Sequence, residues 1–239
     1  MKKILTMAAV ALLAASCSND KDVITPDLGT ANAPVAIKLT QSVEGITTKA
    51  PITSGSQVEG IVVMVDVTSG HEHDWGSFNP VYKNEIDGAT KELKTRANVA
   101  GAVFTAGTET DITLTPTLYY DNAQASPKNS HITAVVPSGT IESSKVVFGK
   151  VDGLQDVMTI GADQDAGTAA SPNQDGCKLT FSHKTTQLVF AASYTSVADN
   201  KGEWAGKDVS IKSIKVLGTQ LPQSVNLTNG DVNWATASD

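Results

Sequence analysis

The one run of residue types able to hold a metal ion is His71-Glu72-His73-Asp74. On an extended segment side chains alternate with period two, so His71 and His73 would share a face and could chelate a divalent ion. The run lies in a polar, glycine-flanked stretch, and ordering such a loop costs roughly 1–2 kcal/mol per fixed residue. It is therefore expected to be solvated, with no metal site. His183, in phase with Leu179 and Phe181, is expected to be a hydrogen-bonded, half-buried residue, and Cys177 a small, half-buried strand residue. No G-x-S-x-G elbow, Walker loop or H-E-x-x-H motif occurs. Paired carboxylates are assembled in space, and a sequence does not reveal them. No catalytic residue and no cofactor is expected.

The second cysteine carries a different chemistry. Lys2-Lys3, an uncharged and mostly apolar run from Ile4 to Ser16, and small residues just before Cys17 read as a secretory signal, and the run is short for a membrane span. Cys17 sits where a bacterial lipoprotein signal places the residue that becomes the lipidated N-terminus. Leu13 lies four places before it, with Ala14 at the usual leucine position. Each acyl chain contributes about 0.8 kcal/mol per buried methylene, so two or three chains would hold the protein stably at a membrane. The acidic string Ser18-Asn19-Asp20-Lys21-Asp22 is similar to the surface-export signal of Bacteroidetes lipoproteins, and is equally a solvated tether.

Charge and cysteine count narrow the class. The chain has 18 basic and 25 acidic residues; without residues 1–16, which hold two of the lysines and no acid, 16 face 25, a net charge of −9. No basic patch for nucleic acid is visible, and no nucleic-acid partner is expected. With Cys17 assigned to lipid, Cys177 has no intrachain partner and no disulfide framework exists.

The elements that must position these residues read as strands. Residues 17–34, with two prolines and a glycine in the stretch from Asp22, form a flexible tether, and residues 35–239 the folded domain. Val35 to Thr40 alternates apolar with small or polar residues, as a strand with one buried face does. Ile61 to Val65 is continuously apolar and β-branched, as in a strand covered on both faces. Ile112, Leu114, Leu118 and Tyr120 share a face, and Pro116 among them predicts an edge or a bulge. Further strands are expected at His131–Val136, Lys145–Gly149, Lys178–Ser182, Thr186–Tyr194, Val209–Leu217 and Ser224–Leu227. Leu188 and Phe190 have the opposite parity to Leu179 and Phe181, and Ile211 differs likewise from Ile214 and Val216, so each place needs a bulge or turn. Glu85–Lys94 is the one helical candidate. Short strands between Gly, Asn, Asp and Pro clusters predict an all-β antiparallel β-sandwich.

These residues carry a resemblance. Lys178-Leu179-Thr180-Phe181-Ser182-His183, continuing into Thr186-Gln187-Leu188-Val189-Phe190, resembles the L-x-F-x-H-x-x-x-Q-L-x-F block of the fimbrillin-like (FimA/Mfa-like) surface lipoproteins of Bacteroidetes. Gln155-Asp156-Val157-Met158 is similar to their D-[VL]-[ML] element, and Val209–Val216, Leu221-Pro222 and Leu227–Trp234 to the end of their N-terminal domain. Pro116–Tyr120 and Ala134–Pro137 resemble their P-x-Y-Y-P and A-Y-Y-P pair, with Asp121 for the second proline and two valines for the tyrosines.

The resemblance implies a transthyretin-like sandwich with Greek-key connections, serving as a pilus subunit or adhesin at the outer membrane and cell surface. Relatives usually continue into a second β-sandwich, and the chain, ending at Asp239, is expected to lack it. The family also implies proteolytic maturation after a basic residue following the first strand, which here is Lys49, ahead of Ala50. Cutting there would free Val35, Ile37, Leu39 and Val43, the candidate buried face of that strand, for strand exchange with other pilin subunits. The alternative is a monomeric surface lipoprotein that binds a glycan, a host ligand or a bacterial surface ligand. Trp75 and Trp204, in glycine-rich loops, are its stacking candidates, while Trp234 is expected in the core.

Overall fold

The computed structural model describes residues 33–43, 55–68, 73, 75–105, 109–121, 128–149, 156–186, 188, 190–191 and 210–236, and among these there is no helix. The strands are β1 (Thr40–Val43), β2 (Gln57–Val67), β3 (Glu85–Ile86), β4 (Leu93–Thr95), β5 (Val99–Thr105), β6 (Thr110–Asp111), β7 (Thr113–Thr115) and β8 (Asn129–Val136). They continue as β9 (Thr140–Glu142), β10 (Lys145–Val147), β11 (Met158–Thr159), β12 (Gln164–Asp165), β13 (Lys178–His183), β14 (Gln220–Asn226) and β15 (Val232–Thr236). The fold is all-β, as the alternation and the turn residues predict.

The apolar run in β2 explains the centre of the molecule. Its side chains point alternately to opposite faces, so Val62 and Met64 enter one core while Ile61 and Val63 enter another. Both faces must then be covered. On one side β2 pairs with β5 and on the other with β8, all antiparallel. β7 pairs with β5, which gives the spatial order β8-β2-β5-β7. A fourth strand returning beside the first of three is a Greek key. Gly60 is required within β2, because a Cβ there would come within 2.6 Å of both the Phe104 ring and the Val135 carbonyl.

The larger sheet continues from β8 through β11 and β13 to β1 and β6. Its first and last strands, β7 and β6, are parts of one stretch of chain separated by Ile112 alone. The sheet therefore curls until its ends meet, enclosing Leu39, Leu118, Ile132, Phe104 and Phe181 in the first core. Phe104 and Phe181 meet edge-on, with centroids 4.7 Å apart. A second sheet, β15-β14-β10-β9, covers the outer face and closes the second core around Trp75, Val135, Val146, Val225 and Leu227. Gly230, with φ of 70°, makes the turn between β14 and β15.

Three sequence expectations are corrected. Glu85–Lys94 is a β-hairpin: Asp87 accepts hydrogen bonds from the Ala89 and Thr90 amides at 2.7 and 3.0 Å and pairs with Lys94 at 2.9 Å. An aspartate that binds the backbone two and three residues ahead favours a turn over a helix. The first strand lies later than predicted: regular pairing begins at Thr40, and residues 35–39 are extended with isolated bonds. Thr186–Tyr194 and Val209–Leu217 carry no strand among their described residues, and Leu188, Phe190, Ile211 and Ile214 are exposed. In Val209–Leu217 the change of parity between Ile211 and Ile214 keeps one face from carrying all the apolar side chains. Pro116 follows the end of β7, where no ladder N–H is called for.

Candidate functional site

The N-terminal segment is inserted between two walls. On one side the Ile37 amide donates to the Leu118 carbonyl at 2.9 Å, the Tyr120 amide to Val35 at 3.0 Å and the Ile112 amide to Leu39 at 2.9 Å. On the other side β1 runs parallel to β13, with Gln41 opposite Leu179 and Val43 opposite Phe181, and the Thr40 amide donates to the Cys177 carbonyl at 3.0 Å. Parallel pairing joins strands distant in sequence, and it is the only parallel pair among the described residues. Ile37 and Leu39 are buried in the first core, as predicted.

Val35 is the correction: it is 41% exposed, having the right parity but lying past the rim of the core. The Val43 side chain, with Lys49, Ala50 and Cys17, lies outside the described residues. The third buried side chain of the segment is Gln41, which periodicity places on the Ile37–Leu39 face. Its amide donates to the Thr105 carbonyl and to Thr110 Oγ1, at 2.9 Å for the latter. These two Nε2 bonds tie the segment to β5 and β6 at one register, while Gln41 Oε1 is buried with no partner among the described residues.

Below this segment Tyr120 and Cys177 share a contact of 3.5 Å, and the Tyr120 hydroxyl donates to the Ala166 carbonyl at 3.1 Å. Burial pushes the Cys177 thiol up from its ordinary value, and burial followed by the Cys177 contact pushes the Tyr120 phenol up. A thiol held neutral is a poor nucleophile. Cys177 is more deeply buried than expected and stands in the turn before β13.

His183 ends β13, and its Nδ1 pairs with the buried carboxylate of Asp156. Thr185 Oγ1 donates to the other carboxylate oxygen at 2.8 Å and accepts from the Val157 amide at 3.1 Å. The hydrogen-bonded, half-buried role predicted for His183 is the one it plays. Its Nε2 is buried with no partner among the described residues.

The metal-type residues behave differently from the loop reading. His71, Glu72 and Asp74 lie outside the described residues, while His73 meets two groups from elsewhere in the chain. Its Nε2 stands 3.1 Å from Asp163 Oδ1, and His131 Nδ1 stands 2.7 Å from Asp163 Oδ2. The two imidazoles stack with centroids 4.2 Å apart. Each component is positioned by the fold. His131 lies on β8, on the face that carries Val135 into the second core. Asp163 occupies the break between β11 and β12, both of which pair with β8, so the interrupted ladder places its carboxylate against His131. Trp75 is buried at 1% exposure and packs on Phe78 at 5.9 Å, anchoring the chain two residues beyond His73. Periodicity within the loop could not show this, because the partners are 58 and 90 positions away.

The tryptophans exchange their expected places. Trp75 is core and offers no stacking face, Trp234 on β15 is 41% exposed, and Trp204 lies outside the described residues. Comparison of the chain with protein-family models, curated proteins and solved structures returns no match.

Proposed function

We propose that this chain is a lipid-anchored cell-surface protein, a subunit of a fimbrium-like assembly or an adhesin domain, that exchanges its N-terminal strand with other subunits and catalyses no reaction. Cys17 is its lipidation site and the outer membrane its anchorage. The observation that carries the reading is the seating of residues 35–43 between the 110–120 stretch and β13. That segment lies at the N-terminal end of the domain, so a single cut after it detaches it from everything that follows. Full burial of Ile37 and Leu39 is worth roughly 1.5–3 kcal/mol each, and a whole domain is stable by about 5–15 kcal/mol. Losing the segment would also unpair both walls and expose Leu118, Leu179 and Phe181. A groove with two unpaired edges and an apolar floor takes an extended strand readily: ladder bonds give affinity and alternate side chains give register.

The test compares intact protein, protein cut after Lys49, and Lys49→Ala. The cut form, freed of its N-terminal piece, should melt well below the other two and recover when a synthetic peptide of residues 33–43 is added. A cut form that has lost the piece and still melts like the intact protein rules out strand exchange. Membrane anchorage is read separately: Cys17→Ala should move the protein from the detergent phase to the soluble fraction, and unchanged partitioning removes the lipid assignment.

A further inference from the structure

We infer that His73, His131 and Asp163 form a binding site for a divalent transition-metal ion, with zinc the best match. One ligand atom from each residue lies within 4.8 Å of the others. A tetrahedral zinc ion with bonds of about 2.0–2.1 Å has ligand–ligand edges near ~3.3 Å; here each imidazole faces a different oxygen of Asp163, at 3.1 and 2.7 Å, so one of them exchanges its carboxylate contact for the ion. The two rings are stacked 4.2 Å apart, so binding one ion requires a ring to swing until both ligating nitrogens converge on it. Two imidazole nitrogens with one carboxylate oxygen suit zinc and its neighbours in the first transition row, whereas magnesium and calcium demand oxygen ligands. Three protein ligands leave the fourth position to water.

The protons set the strength of binding. Each imidazole now faces the carboxylate with the nitrogen that would ligate, so a close contact requires a proton on that nitrogen or a metal ion in its place. Ligation transfers each ring proton to the opposite nitrogen. For His73 that nitrogen is Nδ1, which is buried without a partner among the described residues. A ligating histidine lacking an acceptor for its second N–H loses roughly 10–100-fold in metal affinity. The site joins the loop after β2, the central strand β8 and the β11–β12 break, so an occupied site clips three segments together.

The experiment uses the full chain without an affinity tag, stripped with chelator and titrated with zinc chloride by calorimetry and by thermal melting. One zinc per chain should bind and raise the melting temperature, while magnesium at the same concentration does neither. Asp163→Asn, which keeps size and shape, and His73→Ala, a loop change, should each weaken zinc binding tenfold or more while the apo proteins still melt cooperatively. The ring nitrogens of His73 and His131 should shift together on zinc addition in nitrogen-detected NMR. Absence of stoichiometric binding to folded wild-type protein, or binding that persists unweakened in both variants, overturns the assignment.

Discussion

Two stretches of this chain are written almost alike. Val35-Ala36-Ile37-Lys38-Leu39 and Val209-Ser210-Ile211-Lys212 share a β-branched, lysine-punctuated alternation, and the second goes on through Ser213-Ile214-Lys215-Val216-Leu217. The first ends with Ile37 and Leu39 in the core and hydrogen bonds to two walls. Residues 210–217 carry no strand, and Ile211, Ile214, Val216 and Leu217 are all exposed. Alternation confers the capacity for a strand; a waiting pair of edges makes one. The first stretch keeps a single parity from Ile37 through Leu39 to Gln41, and the second breaks parity between Ile211 and Ile214.

The largest effects should come from breaking the seated stretch. Leu39→Ala removes a fully enclosed side chain and is expected to destabilise by about 2–5 kcal/mol, whereas Ile214→Ala, at a 51% exposed position, should change stability by no more than about 0.5 kcal/mol. Denaturant unfolding of the two variants measures the contrast directly. Equal losses would mean that residues 210–217 are seated as firmly as residues 35–39.

A smaller effect should appear with pH, again only on the seated side. The Cys177 carbonyl holds the Thr40 amide, and burial keeps its thiol neutral in the folded protein. A thiol whose folded value is raised contributes stability that is complete below its ordinary value of 9.0 and is lost as pH climbs through the higher folded one. Stability should therefore sag above about pH 9. Cys177→Ala should flatten part of that sag and leave the curve below pH 8 parallel to wild type. The exposed stretch 210–217 has no thiol or phenol, so Ile214→Ala should leave the alkaline limb unchanged. An alkaline limb indifferent to Cys177 would point to Tyr120 as the group responsible.

Much of the fold was legible because it rests on short-range pattern. The β-branched run at Ile61–Val65 announces a strand buried on both faces, and the shared face of Ile112, Leu118 and Tyr120 survives into the first core. The Asp87-Gly88 turn misled, since helix-compatible residues around it concealed a hairpin whose stability comes from local aspartate bonds. The candidate sites divide in the same way. His183 was legible from its phase on β13. The His73–His131–Asp163 group was not, because its members are drawn together by a ladder break and by the burial of Trp75.

By itself, then, the sequence determined what alternates: all-β character, the segments able to be strands, the buried parity of Ile37 and Leu39, and the lack of any disulfide framework. Tertiary structure alone decided which capable segments find partners. It paired β1 parallel with β13, left Ile211 and Ile214 in solvent, sent Trp75 inward and Trp234 outward, and set Asp163 between two histidines. The physical reason is that periodicity is a property of neighbours a few residues apart, while pairing and burial depend on edges and surfaces supplied from far along the chain.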